Sequence, residues 1–79
     1  MSELILYGTS GCHLCEEAEA LLDCCLRTAN SPTGFETVDI ATDPELVESY
    51  GLLIPVLRNV ESGIELNWPF GPEDIRKLL

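Results

Sequence analysis

Positive charge is scarce in this sequence. Arg27, Arg58, Arg76 and Lys77 stand against 14 Asp and Glu, giving a net charge of −10 over 79 residues. A nucleic-acid binder needs clustered Lys and Arg to neutralise phosphates, so nucleic acid is not an expected partner. Long apolar runs are also missing. The longest, Leu52–Leu57, falls far short of the roughly 20 residues that span a bilayer, so no membrane partner is expected either. The opening Met1-Ser2-Glu3 has no basic leader and passes at once into an apolar strand pattern, which makes a cytoplasmic protein the expectation. The remaining composition is that of an ordinary globular chain, 46% hydrophobic and 23% charged, too apolar for a disordered one. A chain this short makes a single domain, 1–79, with a small core. The acidity favours solubility and suits a basic partner.

No linker, internal repeat or low-complexity segment interrupts the chain. Leu4-Ile5-Leu6-Tyr7 is a short apolar run closed by Gly8 and reads as a buried strand. Gly8 to Gly11 is a turn. A helical pattern follows from about Cys12 to about Thr28, rich in Ala, Leu and Glu and free of Pro and Gly. The stretch 30–34, with Pro32 and Gly34, breaks it. Phe35 to Ile40 reads as a second strand. Asp43, Pro44 and Glu45 then give a cap, a first-turn proline and a first-turn acid, opening a helix that runs to about Tyr50 and stops at Gly51. Val56–Val60 and Ile64–Asn67 form a hairpin around Glu61-Ser62-Gly63, and Pro72 opens a last helix to Leu79. The order is β-α-β-α-β-β-α. Its first β-α-β should be a right-handed parallel unit, and its last two strands antiparallel.

The four cysteines stand at 12, 15, 24 and 25, all on the first helical stretch, so they cannot staple distant loops. Without a secretion signal, Cys-x-x-Cys points to redox chemistry or metal binding. Cys12-His13-Leu14-Cys15 lies where the strand's turn becomes the helix. A thiol attacks a disulfide only as its thiolate, and a helix N-terminus offers unpaired N–H groups and a positive dipole end that favour it. Cys12 is therefore the expected exposed nucleophile. Cys15, one turn later, is the expected resolving thiol. An imidazolium at His13 favours the thiolate, whereas Glu16, Glu17 and Glu19 oppose it. Zinc is the competing reading, but it usually requires a second pair at ligand spacing. Cys24 and Cys25 are adjacent and point about 100° apart on a helix, a poor second claw. With 15, 18, 22 and 25 forming one apolar face, Cys25 is expected in the core and Cys24 near the surface.

A second feature is Leu53-Ile54-Pro55-Val56, just before the third strand. Together with strand–turn–Cys-x-x-Cys–helix, it resembles the thioredoxin superfamily across almost the whole chain. The short length and the strings Thr37–Ile40, Asp43–Leu46 and Ile54–Leu57 resemble its small glutaredoxin-like members. The resemblance implies a four-stranded mixed sheet with helices on both faces. It also implies a cis-proline at Pro55 facing the cysteines, with the carbonyl and N–H of Ile54 pairing an extended substrate. There are departures. Glutaredoxins usually carry Pro-Tyr between the cysteines, where His13-Leu14 stands here. They often have a Lys shortly before the first Cys, where this chain has Gly8, Thr9 and Ser10. Their Gly-Gly-plus-Asp segment for glutathione is replaced here by Trp68-Pro69-Phe70-Gly71-Pro72-Glu73-Asp74, in which Trp68 lines a groove or covers the core.

The expectation is thus a monomeric thiol–disulfide oxidoreductase acting on a disulfide-containing protein or a small thiol. It would have no resident cofactor or metal, and glutathione or a thioredoxin-reductase-type donor would supply the electrons. The alternative is a non-catalytic thioredoxin-fold binding module that holds a metal or iron–sulfur cluster or docks to a larger redox partner.

Overall fold

The computed structural model describes residues 4–30 and 34–78. The readings of Met1–Glu3, of the centre of the 30–34 break and of Leu79 therefore lie outside the described residues.

The elements are β1 (Leu4–Gly8), α1 (His13–Thr28), β2 (Phe35–Asp39), a 3₁₀ turn (Ile40–Thr42), α2 (Pro44–Tyr50), β3 (Val56–Asn59), β4 (Glu65–Asn67) and α3 (Pro72–Leu78). They form a four-stranded sheet in the order β2-β1-β3-β4. β1 runs parallel to β2, whereas β3 is antiparallel to both β1 and β4. This is the mixed sheet of the thioredoxin fold.

Side-chain alternation along the strands builds two cores, because successive residues of a strand face opposite sides of the sheet. Leu4, Leu6 and Leu57 meet Ala18, Leu22 and Leu26 of α1 and Ile75 and Leu78 of α3 on one face. Tyr7 and Val56 meet Ile40 on the other, with Leu46 and Tyr50 of α2 packed against them. Each fully buried Leu or Ile contributes on the order of 1.5–3 kcal/mol.

Element ends shift where polar side chains compete with the strand ladder. Asp39 Oδ1 accepts the Ala41 N–H at 2.9 Å, which draws Ile40 out of the second strand into the 3₁₀ turn. Asn59 Oδ1 accepts the N–H groups of Glu61 and Ser62 at 2.9 and 3.1 Å, ending β3 before Val60. The buried face of α1 is Cys15, Ala18, Leu22 and Leu26. Leu26 replaces Cys25 there, because steps of 3, 4 and 4 follow a 3.6-residue period more closely than a final step of 3. Cys25 is partly buried at the flank of the same core, and Cys24 is exposed.

Asn59 also fixes the last helix, donating from Nδ2 to the Leu78 carbonyl at 2.7 Å. At the other end of α3, the Gly71 N–H donates to Asp74 Oδ2 at 2.9 Å, half of a capping box.

Candidate active site

β1 ends at Gly8, and a turn delivers the chain to α1. Gly11, at φ 76°, takes the left-handed conformation that this turn requires. Cys12 is not the first helical residue but the N-cap, with extended φ and ψ of −89° and 107°. Its Sγ accepts the Cys15 N–H at 3.2 Å, the bond that a Ser or Asp side chain makes at this position. The sulfur therefore sits at the positive end of the 16-residue helix, in contact with one of its free amides.

Cys12 and Cys15 form a disulfide with their Cα atoms 5.2 Å apart, an ordinary separation for a bridged pair. Cys15 is buried, whereas Cys12 is partly exposed. Space for Cys15 comes from Gly8, where a Cβ would stand 2.9 Å from the Cys15 sulfur and 3.1 Å from its Cβ. Sequence reading assigned Gly8 only a turn. Its second role depends on the helix folding back over the strand, which local pattern does not reveal.

Strand register assembles the rest of the site. Gly8 pairs with Asp39, Tyr7 pairs with Val56, and Val56 pairs with Asn67. One step further along, Pro55 comes opposite Gly8, and Trp68 comes beside Pro55. The Trp68 N–H donates to the Pro55 carbonyl at 3.2 Å. Asp39, Gly8, Pro55 and Trp68 thus form a row across the end of the sheet, with Cys15 lying against Gly8. The Ile54–Pro55 and Trp68–Pro69 peptide bonds are both cis. Trp68 is half-buried against the larger core, edge-on to Phe70 at 5.2 Å.

One expected backbone contact differs from its reading. The Ile54 N–H donates to the Tyr50 carbonyl at 3.0 Å, so it is engaged within the chain rather than free to pair an extended segment. His13 is exposed, and its Nδ1 lies 3.9 Å from Glu16 Oε2. Beneath Ile54, Tyr50 stacks on Tyr7 with ring centroids 4.6 Å apart and donates its hydroxyl to Glu65. That hydrogen bond, with burial second, holds the Tyr50 phenol above its ordinary pKa.

On the Cys15 side, a cavity of about 320 Å³ opens between β1, α1 and β2, lined in part by Gly8, Cys15, Glu16, Glu19 and Asp39. Among the described residues, no three His, Cys, Asp or Glu are grouped to hold a metal ion. No helix among them is long and apolar enough to cross a membrane.

The model of the glutaredoxin-like domain, DUF836, matches residues 3–79. The chain belongs to the glutaredoxin-like family. Solved structures agree with this membership. A structural-genomics target from X. campestris, solved by X-ray, is 39% identical over 94% of this chain and 91% of its own, with a TM-score of 0.75. Its solution structure gives 39% identity over 98% and 90%, with a TM-score of 0.76. A protein from Nitrosomonas europaea, solved by NMR, is 32% identical over 98% and 89%, with a TM-score of 0.82. No curated protein matches.

Proposed function

We propose that this glutaredoxin-like chain is a thiol–disulfide oxidoreductase in which Cys12 is the nucleophile and Cys15 the resolving thiol. The observation that carries this reading is the contact of Cys12 Sγ with the Cys15 amide at the helix N-cap. In the reduced protein the same amide and the helix dipole favour the thiolate. The Cys12 thiolate attacks a substrate disulfide, forms a mixed disulfide and releases one substrate thiolate. Cys15 then loses its proton and attacks the Cys12 sulfur. The second substrate thiol leaves and the bridged pair forms. The substrate gains two electrons and two protons, and the protein pair loses them. Burial of Cys15 beside the partly exposed Cys12 supports the assignment of attacker and resolver.

Pro55 and the Ile54 carbonyl shape the docking edge, and Trp68 braces it through Pro55. His13 acts on the thiolate only weakly, because it is exposed to solvent and Glu16 faces it. The cycle requires an external thiol donor, glutathione or a thioredoxin-reductase-type protein, and no resident cofactor. A monomer in the cytoplasm, where such donors keep thiols reduced, suits this role.

Reduction of a small disulfide by wild type and by Cys12→Ser, with a dithiol donor, tests the reading. Loss of activity in the variant is the expected result; equal rates would remove Cys12 from the mechanism. Alkylation of Cys12 across a pH series should give a midpoint below that of a free thiol.

A further inference from the structure

The charges around the redox pair are of one sign. The cavity against Cys15 is lined by the carboxylates of Glu16, Glu19 and Asp39 and by no Lys or Arg. His13, beside Cys12, already faces Glu16. The basic side chains lie elsewhere. Arg27 is bound to Asp23 at 2.9 Å in the last turn of α1, about 20 Å along the helix from Cys12. Arg58 faces Glu65 at 4.0 Å. Arg76 lines a separate cleft with Cys24 and Cys25, and Lys77 follows it in the last turn of α3. A substrate reaching the Cys12–Cys15 sulfurs therefore meets negative potential without a countercharge, and clefts lined by one sign concentrate ligands of the other. Glutathione disulfide carries carboxylates at both ends and finds no cation here to hold them.

We propose that this site selects disulfides flanked by positive charge, whose ammonium or guanidinium groups lie against Glu16, Glu19 and Asp39 while their sulfur meets Cys12. The inference rests on the redox reading above and names its substrate class. The exchange is the one already balanced: the cationic disulfide gains two electrons and two protons and leaves as two thiols, while the reduced Cys12–Cys15 pair becomes the bridge. Leu14, exposed between the two cysteines, adds an apolar contact for the linker between charge and sulfur.

The test measures reduction of cystamine (dication), bis(2-hydroxyethyl) disulfide (neutral) and glutathione disulfide (anion) by the reduced full chain. Each rate is divided by that of dithiothreitol with the same disulfide, which removes leaving-group differences. The expected order is cystamine, then neutral, then glutathione disulfide, with about tenfold or more between the first and last at low salt. The spread should shrink to about threefold or less near 1 M salt, where the screening length is about 3 Å. Glu16→Gln with Glu19→Gln should lower the cystamine-to-glutathione ratio, whereas Glu61→Gln, in the turn at the far end of the sheet, should leave it unchanged.

Two disulfide-bridged peptides of equal length, one flanked by Lys and one by Glu, locate the source. A similar margin for the Lys peptide places the partner among proteins, and a margin confined to cystamine places it among small aminothiols. A faster rate with glutathione disulfide, or a ratio indifferent to salt and to the Glu16 and Glu19 changes, overturns the proposal and leaves the redox reading standing. Rates no greater than those of Cys12→Ser with all three small disulfides overturn both.

Discussion

Helix α1 carries two pairs of cysteines in opposite circumstances. Cys12 and Cys15 stand at its first turn, three residues apart, bridged to each other, with an amide on the leading sulfur. Cys24 and Cys25 stand near its last turn, adjacent in sequence and free. Burial, with the neighbouring Cys24 next, pushes the Cys25 thiol above its ordinary pKa, while Arg76 pulls weakly the other way. The same element thus holds thiols under two regimes, set by distance from the helix N-terminus and by spacing. Three residues of separation bring two sulfurs over one turn, whereas one residue splays them by about 100°. A cysteine's chemistry in this chain follows its place on the helix more than its being a cysteine.

The sharpest way to break that contrast is to remove one thiol from each pair. Cys12→Ser should lose disulfide exchange by about a thousandfold or more, because the exchange needs a thiolate. Cys24→Ser should stay within about twofold of wild type, since the same requirement places no demand on it. A large loss in Cys24→Ser, read by the same small-disulfide assay, would merge the two pairs into one relay.

A smaller effect comes from crowding the first pair. Gly8→Ala sets a methyl group 2.9 Å from the Cys15 sulfur. It should destabilise the oxidised protein by about 1–3 kcal/mol, the usual cost of overpacking, as read from urea melts with and without reductant. An equal loss in both redox states would show that the methyl presses on the helix rather than on the bridge.

The second pair is read by pH. The folded protein holds the Cys25 proton more tightly than the unfolded chain does. Its contribution to stability is therefore full below the ordinary thiol pKa and lost as pH rises through the raised value. Melts of the oxidised protein on the alkaline side should show this decline, and Cys25→Ala should flatten it. Tyr50, also held above its ordinary value, adds a decline of the same sign at higher pH. Smallest of all should be His13→Ala, with less than about a threefold change in the exchange rate, because an exposed side chain facing Glu16 at 3.9 Å does little.

Local features of the chain announced most of the frame. Pro44 and Asp43 opened α2 where expected, and the Ala, Leu and Glu run from His13 to Thr28 is helical throughout. The placement of Cys12 at a helix start was legible because a strand, a glycine-bounded turn and a helix former run follow one another directly. What escaped was set by long-range pairing. Gly8 owes its importance to a helix returning over it, and the row from Asp39 to Trp68 exists only once three strand registers are combined. The engagement of the Ile54 N–H by the Tyr50 carbonyl adds one more helical-type turn beyond the end of α2, past the Gly51 that reads as its stop. Asn59, with bonds to Glu61, Ser62 and Leu78, read as an ordinary strand residue because its partners are turn and helix backbone.

The cap formed by the Cys12 sulfur reaches beyond chemistry. Serine is among the best residues at that position, since its hydroxyl accepts the same amide, and a single nucleotide separates serine from cysteine codons. On the redox reading proposed above, one mutational step would therefore remove the nucleophile while keeping the helix cap. On that same reading, an inert copy of this scaffold that keeps its docking edge would lie a single codon change from an active one.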